Sequence, residues 1–115
     1  MNLIRIDHVS LNCADRPATI DWYANVLGLA AAHRDGPLDQ PLFVGPERAQ
    51  FGLFADRAPG LRHVALATDH ASQARVVARL DALALPYVAE EHRDSHSVYF
   101  ADPDGAMLEV MVPKS

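Results

Sequence analysis

Cysteine is almost absent from this chain of 115 residues: Cys13 stands alone. One thiol cannot close an internal disulfide, so nothing in the composition calls for an oxidising compartment. Basic charge is also scarce. Ten Lys and Arg stand against fifteen Asp and Glu, a net charge of −5, which argues against the basic patches that nucleic acids and anionic membranes require. No apolar run approaches the length of a membrane span, no low-complexity segment is present, and Met1–His8 has no signal-peptide core. The expectation is a cytoplasmic protein with neither nucleic-acid nor membrane partners. Hydrophobic residues make up 50% of the chain and charged residues 22%, enough to build a core in one ordinary domain.

The sequence repeats. Ile6-Asp7-His8-Val9-Ser10-Leu11 and Leu61-Arg62-His63-Val64-Ala65-Leu66 are both short alternating apolar runs, with histidine at the same place. Each is followed by a polar turn and a helical pattern. Asp15 is a plausible N-cap for the first helix, Pro17 sits in its first turn, and Gly28 ends it; Ile20, Tyr23, Ala24 and Leu27 form its apolar face. The second opens near Asp69, carries Val76, Val77, Leu80, Leu83 and Ala84 on one face, and is stopped by Pro86. Three short strands are expected after each helix, at about 29–34, 41–45 and 49–54, then at about 86–91, 96–101 and 106–112. A turn near Gly45-Pro46 is echoed at Asp102-Pro103-Asp104-Gly105, and Ala58-Pro59-Gly60 links the halves. The fold class is α+β: one domain of two βαβββ modules, 1–57 and 58–115.

Side chains alternate across a strand. Val9 and Leu11, Val64 and Leu66, and Leu108, Val110 and Val112 are expected under the helices. His8, His63 and Glu109 then share the opposite face, with Ser10, Tyr99 and several apolar residues nearby. A carboxylate in such surroundings is costly unless paired or bound to metal. Two imidazoles and one carboxylate form a three-ligand set that leaves coordination positions open. His8, His63 and Glu109 are therefore the candidate metal ligands. A single strand histidine is more often structural, but the repeat pairs these two. His33, His70 and His96 are not placed by the repeat and read as surface residues, while Cys13 reads as a small packed residue. Trp22, Phe43, Phe51, Phe54 and Phe100 are candidates for a pocket rim or for core, with core favoured for most.

With these strands and the run Asp102-Pro103-Asp104-Gly105-Ala106-Met107-Leu108-Glu109, the whole chain resembles the vicinal oxygen chelate superfamily. That family includes glyoxalase I, extradiol dioxygenases, fosfomycin-resistance thiol transferases, methylmalonyl-CoA epimerases and bleomycin-binding proteins. The resemblance implies a cupped mixed β-sheet around a divalent metal, a small-molecule substrate with two adjacent oxygens, and a homodimer. Glyoxalase I has a glutamate at the end of its first module as a fourth ligand; Phe51-Gly52 stands at that place in this chain. The fosfomycin enzymes place a threonine where Ser10 stands, a lysine where Ala89 stands, and an arginine at a position past Ser115.

The extradiol dioxygenases carry a histidine, a tyrosine seven to nine residues later, a proline–glycine turn and the glutamate ligand. His92, Tyr99, Pro103, Gly105 and Glu109 follow that order, and only Glu90 departs from the pattern, in place of a small or β-branched residue. The resemblance implies an acid–base role for His92 and a substrate-oxygen contact for Tyr99, with Fe2+ the favoured metal over Mn2+, Zn2+, Ni2+ or Co2+. The typical dioxygenases are about twice this length. Extradiol cleavage leads; a thiol transferase, an isomerase of the glyoxalase kind and a non-catalytic bleomycin-resistance-type binder are the alternatives.

Overall fold

A computed structural model of the chain describes residues 5–47 and 49–114. It contains β1 (Arg5–Asn12), α1 (Arg16–Leu27), β2 (Leu42–Val44), β3 (Gln50–Phe54), β4 (Gly60–Ala67), α2 (His70–Ala82), β5 (Val88–Glu91), β6 (Ser95–Ala101) and β7 (Met107–Pro113). The chain divides into two compact units. One is Asp7–Arg62; the other contains Arg5, Ile6 and the described residues from His63 onward. The sequence pattern extends the first strand over about 3–12; residues 3 and 4 of that span lie outside the described residues, as does Arg48.

In the Asp7–Arg62 unit, β3 runs parallel to β1 and antiparallel to β2. Helix α1 begins where the sequence signals it: the Asp15 side chain accepts from the Ala18 amide at 3.1 Å, and Gly28 closes the helix at φ 70°. Ile20, Cys13, Leu42, Val44 and Leu53 form the buried core, with Leu11, Tyr23 and Phe51 packed against it. Leu42 and Val44 thus point to the helix side and Phe43 to the other, as strand alternation demands.

The expected strand at about 29–34 is reduced to one isolated bridge, Ala31 with Val44. Three successive alanines offer little side chain to pack on a pleated surface, and Gly36-Pro37 soon ends any extension. The loop that replaces it is held by Arg16. This guanidinium, only 4% exposed, donates to the carbonyls of Gln40 (2.7 Å), Gly36 (2.8 Å), Leu53 (3.1 Å) and Pro37 (3.2 Å).

In the other unit, β7 runs parallel to β4 and antiparallel to β6, which pairs in turn with β5. Asp69 caps α2 by accepting from the Ser72 amide at 2.8 Å. The helix ends at Ala82, before Pro86, and Ala84 makes the turn at φ 54°. Val98, Val110 and Val112 are buried on this unit's strands and Leu80 on its helix. Gln73 ties α2 to the strands by donating to the carbonyls of His96 and Val110, both at 3.0 Å. Among the described residues no helix is long and apolar enough to cross a membrane.

Candidate functional site

The repeat inferred from sequence has a counterpart in strand register. In β4–β7, Ala65 stands opposite Glu109; in β1–β3, Ser10 stands opposite Gly52. Ala65 and Ser10 each lie two residues after the histidine of their strand. Gly52 is therefore the positional equivalent of Glu109 in the first copy.

In the unit containing β4–β7, the carboxylate of Glu109 is 4% exposed. Its Oε1 lies 3.0 Å from His63 Nε2, and its Oε2 accepts from Ser97 Oγ at 2.7 Å. Ser97 is buried and its hydroxyl also meets that of Ser95 at 3.1 Å. Tyr99 stands directly across the β6–β7 ladder from Glu109, on the side of Ser97 and opposite Val98, as alternation predicts. Its hydroxyl is 2.8 Å from His92 Nε2, and its ring meets His63 edge-on at 5.8 Å. Burial, then the charge and hydrogen bonding of Glu109, push the Tyr99 hydroxyl well above its ordinary pKa. Tyr99 is thus held as a neutral phenol.

His92 sits in the β5–β6 hairpin. Its backbone amide donates to the Ser95 carbonyl at 2.9 Å, and its carbonyl accepts from Lys114 Nζ at 2.6 Å. The side chain is 40% exposed, and Glu90 Oε2 lies 3.7 Å from its Nε2. Glu90, the residue that departs from the dioxygenase pattern, thus brings a carboxylate to the candidate acid–base histidine.

In the Asp7–Arg62 unit, His8 is held from two sides. Its Nδ1 is 2.8 Å from Asp7 Oδ2, with both side chains 12% exposed. A carboxylate at one ring nitrogen fixes the imidazole orientation, a support that metal-binding histidines commonly have. Phe43 meets the ring edge-on at 5.6 Å and 83°.

Of the sequence candidates, His63, Glu109, Tyr99 and His92 form one connected network within a single unit, and His8 lies in the other. The sequence reading did not find Asp7, Ser97 or the Glu90 contact; only the adjacency Asp7-His8 carried a signal that could have been used. Trp22 is 53% exposed on α1, Phe51 belongs to the core, and Phe54 is buried beneath the Arg62 guanidinium at 3.7 Å. His33 and His70 are exposed, and His96 Nδ1 bonds Glu91 Oε1 at 2.5 Å.

The donor set suits a divalent cation. Glu109 is a buried carboxylate fixed by a neutral serine and a neutral phenol, and a carboxylate at that depth is costly unless it meets positive charge. Imidazole with carboxylate is a combination that binds first-row divalent metals.

A family model for the Glyoxalase/Bleomycin resistance protein/Dioxygenase superfamily matches residues 5–110. No curated protein matches. Among solved structures, methylmalonyl-CoA epimerase from Mycobacterium tuberculosis is similar with a TM-score of 0.74 and 22% identity, over 96% of this chain and 88% of that one. Methylmalonyl-CoA epimerase of Streptomyces coelicolor, in complex with 2-nitronate-propionyl-CoA, has a TM-score of 0.74 and 17% identity, over 99% and 97%. A catechol 2,3-dioxygenase has a TM-score of 0.79 and 16% identity, over 95% of this chain but 42% of that one.

Proposed function

Because the chain belongs to the Glyoxalase/Bleomycin resistance protein/Dioxygenase superfamily, we propose that it is a metal-dependent enzyme whose ion is held by His8, His63 and Glu109. The substrate is a small molecule with two adjacent oxygens, and extradiol ring cleavage is the leading reaction. The observation that carries this choice is the hydrogen-bonded line from His92 through Tyr99 to Glu109. It joins an acid–base group to a candidate ligand through a phenol that stays protonated.

A bound divalent ion, Fe2+ in the leading reading, supplies Lewis acidity and a template for adjacent oxygens in open coordination positions. The remaining work falls to the chain. Asp7 and Ser97 orient His8 and Glu109, so that less reorganisation accompanies binding. Tyr99 donates to a substrate oxygen or to charge developing on it. His92 takes up or returns a proton at Nε2, within hydrogen-bond reach of the Tyr99 hydroxyl. Glu90 Oε2 lies 3.7 Å from that nitrogen.

Isomerisation or epimerisation is the second reading. It is favoured by the likeness to methylmalonyl-CoA epimerases, which extends over 88% and 97% of those chains. We also propose a cytoplasmic homodimer. Val88–Glu91 is exposed throughout and, among the described residues of its unit, pairs with β6 alone, and such an edge invites a partner.

The deciding experiment uses tag-free protein. Metal content is measured, then iron(II) is restored under nitrogen and oxygen uptake followed with a panel of catechols. Iron-dependent uptake is expected. Metal binding without uptake, together with turnover under nitrogen of a thioester or a glutathione adduct, would transfer the assignment to the isomerase or thiol-transferase class. Protein that takes up none of Fe2+, Mn2+, Zn2+, Ni2+ or Co2+ would reject the metal site and leave ligand binding of the bleomycin-resistance type.

A further inference from the structure

The repeat supplies a carboxylate in one copy and withholds it in the other. Glu109 has Gly52 as its counterpart by register. Glycine is not needed there for its backbone, since Gly52 is not among the residues with positive φ. Space beside it is tight. A Cβ at position 52 would lie 3.0 Å from Phe43 Cε1 and 3.3 Å from Ser10 Oγ, closer than ordinary van der Waals contact. Phe43 stands directly across the β2–β3 ladder from Gly52, and its ring occupies the volume a side chain at 52 would take.

The same ring meets His8 edge-on with centroids 5.6 Å apart. Phe43 is 36% exposed, whereas Leu42 and Val44 beside it are 7% and 0% exposed. It is thus packed on Gly52 and against His8 while still presenting surface. The ring also lines a cleft of ≈ 430 Å³, together with Ala30, Ala31, Ala32, His33 and Gln50 among others. A flat carbon surface would bury against the Phe43 ring, whereas an anion placed on that ring would lose hydration against carbon and meet the negative face of its π-system.

We propose that Phe43, seated over Gly52 and edge-on to His8, is a specificity-determining residue that admits substrates presenting an uncharged planar or apolar face on the His8 side and disfavours those presenting an anionic group. The inference rests on the metal-site reading above. Gly52 and Phe43 act together: the first removes a fourth donor, the second replaces it with an apolar wall.

The test uses full-length protein loaded with zinc. Two chelating probes are titrated: nitrocatechol, which joins adjacent oxygens to an aromatic ring, and oxalate, which has adjacent oxygens and no apolar face. Phe43→Ala is expected to weaken nitrocatechol about tenfold, the scale of one lost aromatic contact, and to leave oxalate unchanged or tighter. Gly52→Ala, which pushes the ring aside without removing it, should shift the ratio in the same direction. Zinc stoichiometry and circular dichroism on each variant separate a changed wall from a lost fold. A nitrocatechol-to-oxalate ratio that stays at the wild-type value in both folded, zinc-loaded variants overturns the proposal alone. Failure of wild-type protein to take up zinc or another divalent ion overturns the metal-site reading and this inference with it.

Discussion

Ser97 Oγ donates to Glu109 Oε2 at 2.7 Å, while Glu109 Oε1 faces His63 Nε2 at 3.0 Å. The two oxygens of one carboxylate therefore have different tasks: one is anchored within the β6–β7 ladder, the other is presented to the imidazole. Removing the anchor should loosen the ligand without deleting it. Ser97→Ala is expected to lower divalent-metal affinity about tenfold, the lower end of the range for supports of metal ligands. Competition against a chromogenic chelator measures this. Equal affinity in the folded variant would assign Ser97 to packing alone.

Tyr99 and His92 should influence turnover more than metal binding. Tyr99→Phe removes the hydroxyl shared by His92 and Glu109, and about a hundredfold loss of turnover is expected, the lower end for general acid–base catalysis. Metal content should stay at the wild-type level. His92→Ala should cost a similar factor. Glu90→Gln should cost less, because its contact with His92 is 3.7 Å long and half-exposed. The check is kcat on reconstituted protein with metal measured on the same sample. Loss of metal in step with loss of turnover in Tyr99→Phe would make that tyrosine a ligand support and remove it from the acid–base line.

Much of this arrangement was legible in the sequence because its signals are local and periodic. The His8 and His63 strands show a period of two, Asp15 and Asp69 mark helix starts, and Asp102-Pro103-Asp104-Gly105 marks the turn before the glutamate. The register then pairs Ala65 with Glu109 and Ser10 with Gly52. What was not legible depends on side chains reaching across the fold. Arg16 bonds carbonyls 20 to 37 residues away, and Ser97 meets Glu109 across a ladder, so neither leaves a pattern in a short window. The expected strand at about 29–34 failed for the opposite reason. It was expected as the counterpart of a strand in the second copy, but its alanines supply too little surface to hold a strand in place.

Arg16 should be a stability residue with no part in the chemistry. Its guanidinium satisfies carbonyls in the loop Gly36–Gln40 and on β3 at one point, and a fork of donors is what lets one side chain serve them all. Arg16→Ala would leave part-buried carbonyls unpaired, and a loss of about 3 kcal/mol is expected. Arg16→Lys should recover only part of it, since one ammonium cannot reach every acceptor. Urea unfolding followed by circular dichroism gives the value. A shift under about 0.5 kcal/mol, the range of ordinary surface substitutions, would show that water replaces the guanidinium without penalty.

Cys13 offers a pH-dependent test. Burial raises its thiol pKa, against smaller lowering effects from Thr19 and Arg16. The folded pKa lies above the unfolded value, so this group's contribution to stability is fully present below the ordinary thiol pKa of about 8.5. It is lost as pH rises beyond that point, because the unfolded chain releases the proton first. Cys13→Ala should therefore flatten the alkaline fall in the unfolding midpoint between about pH 8 and 10. In native wild-type protein the thiol is 7% exposed and should resist alkylation at pH 8, reacting fully once urea unfolds the chain. Rapid labelling of the native protein at that pH would mean that the β1–α1 corner opens without global unfolding, and the burial argument for Cys13 would fail.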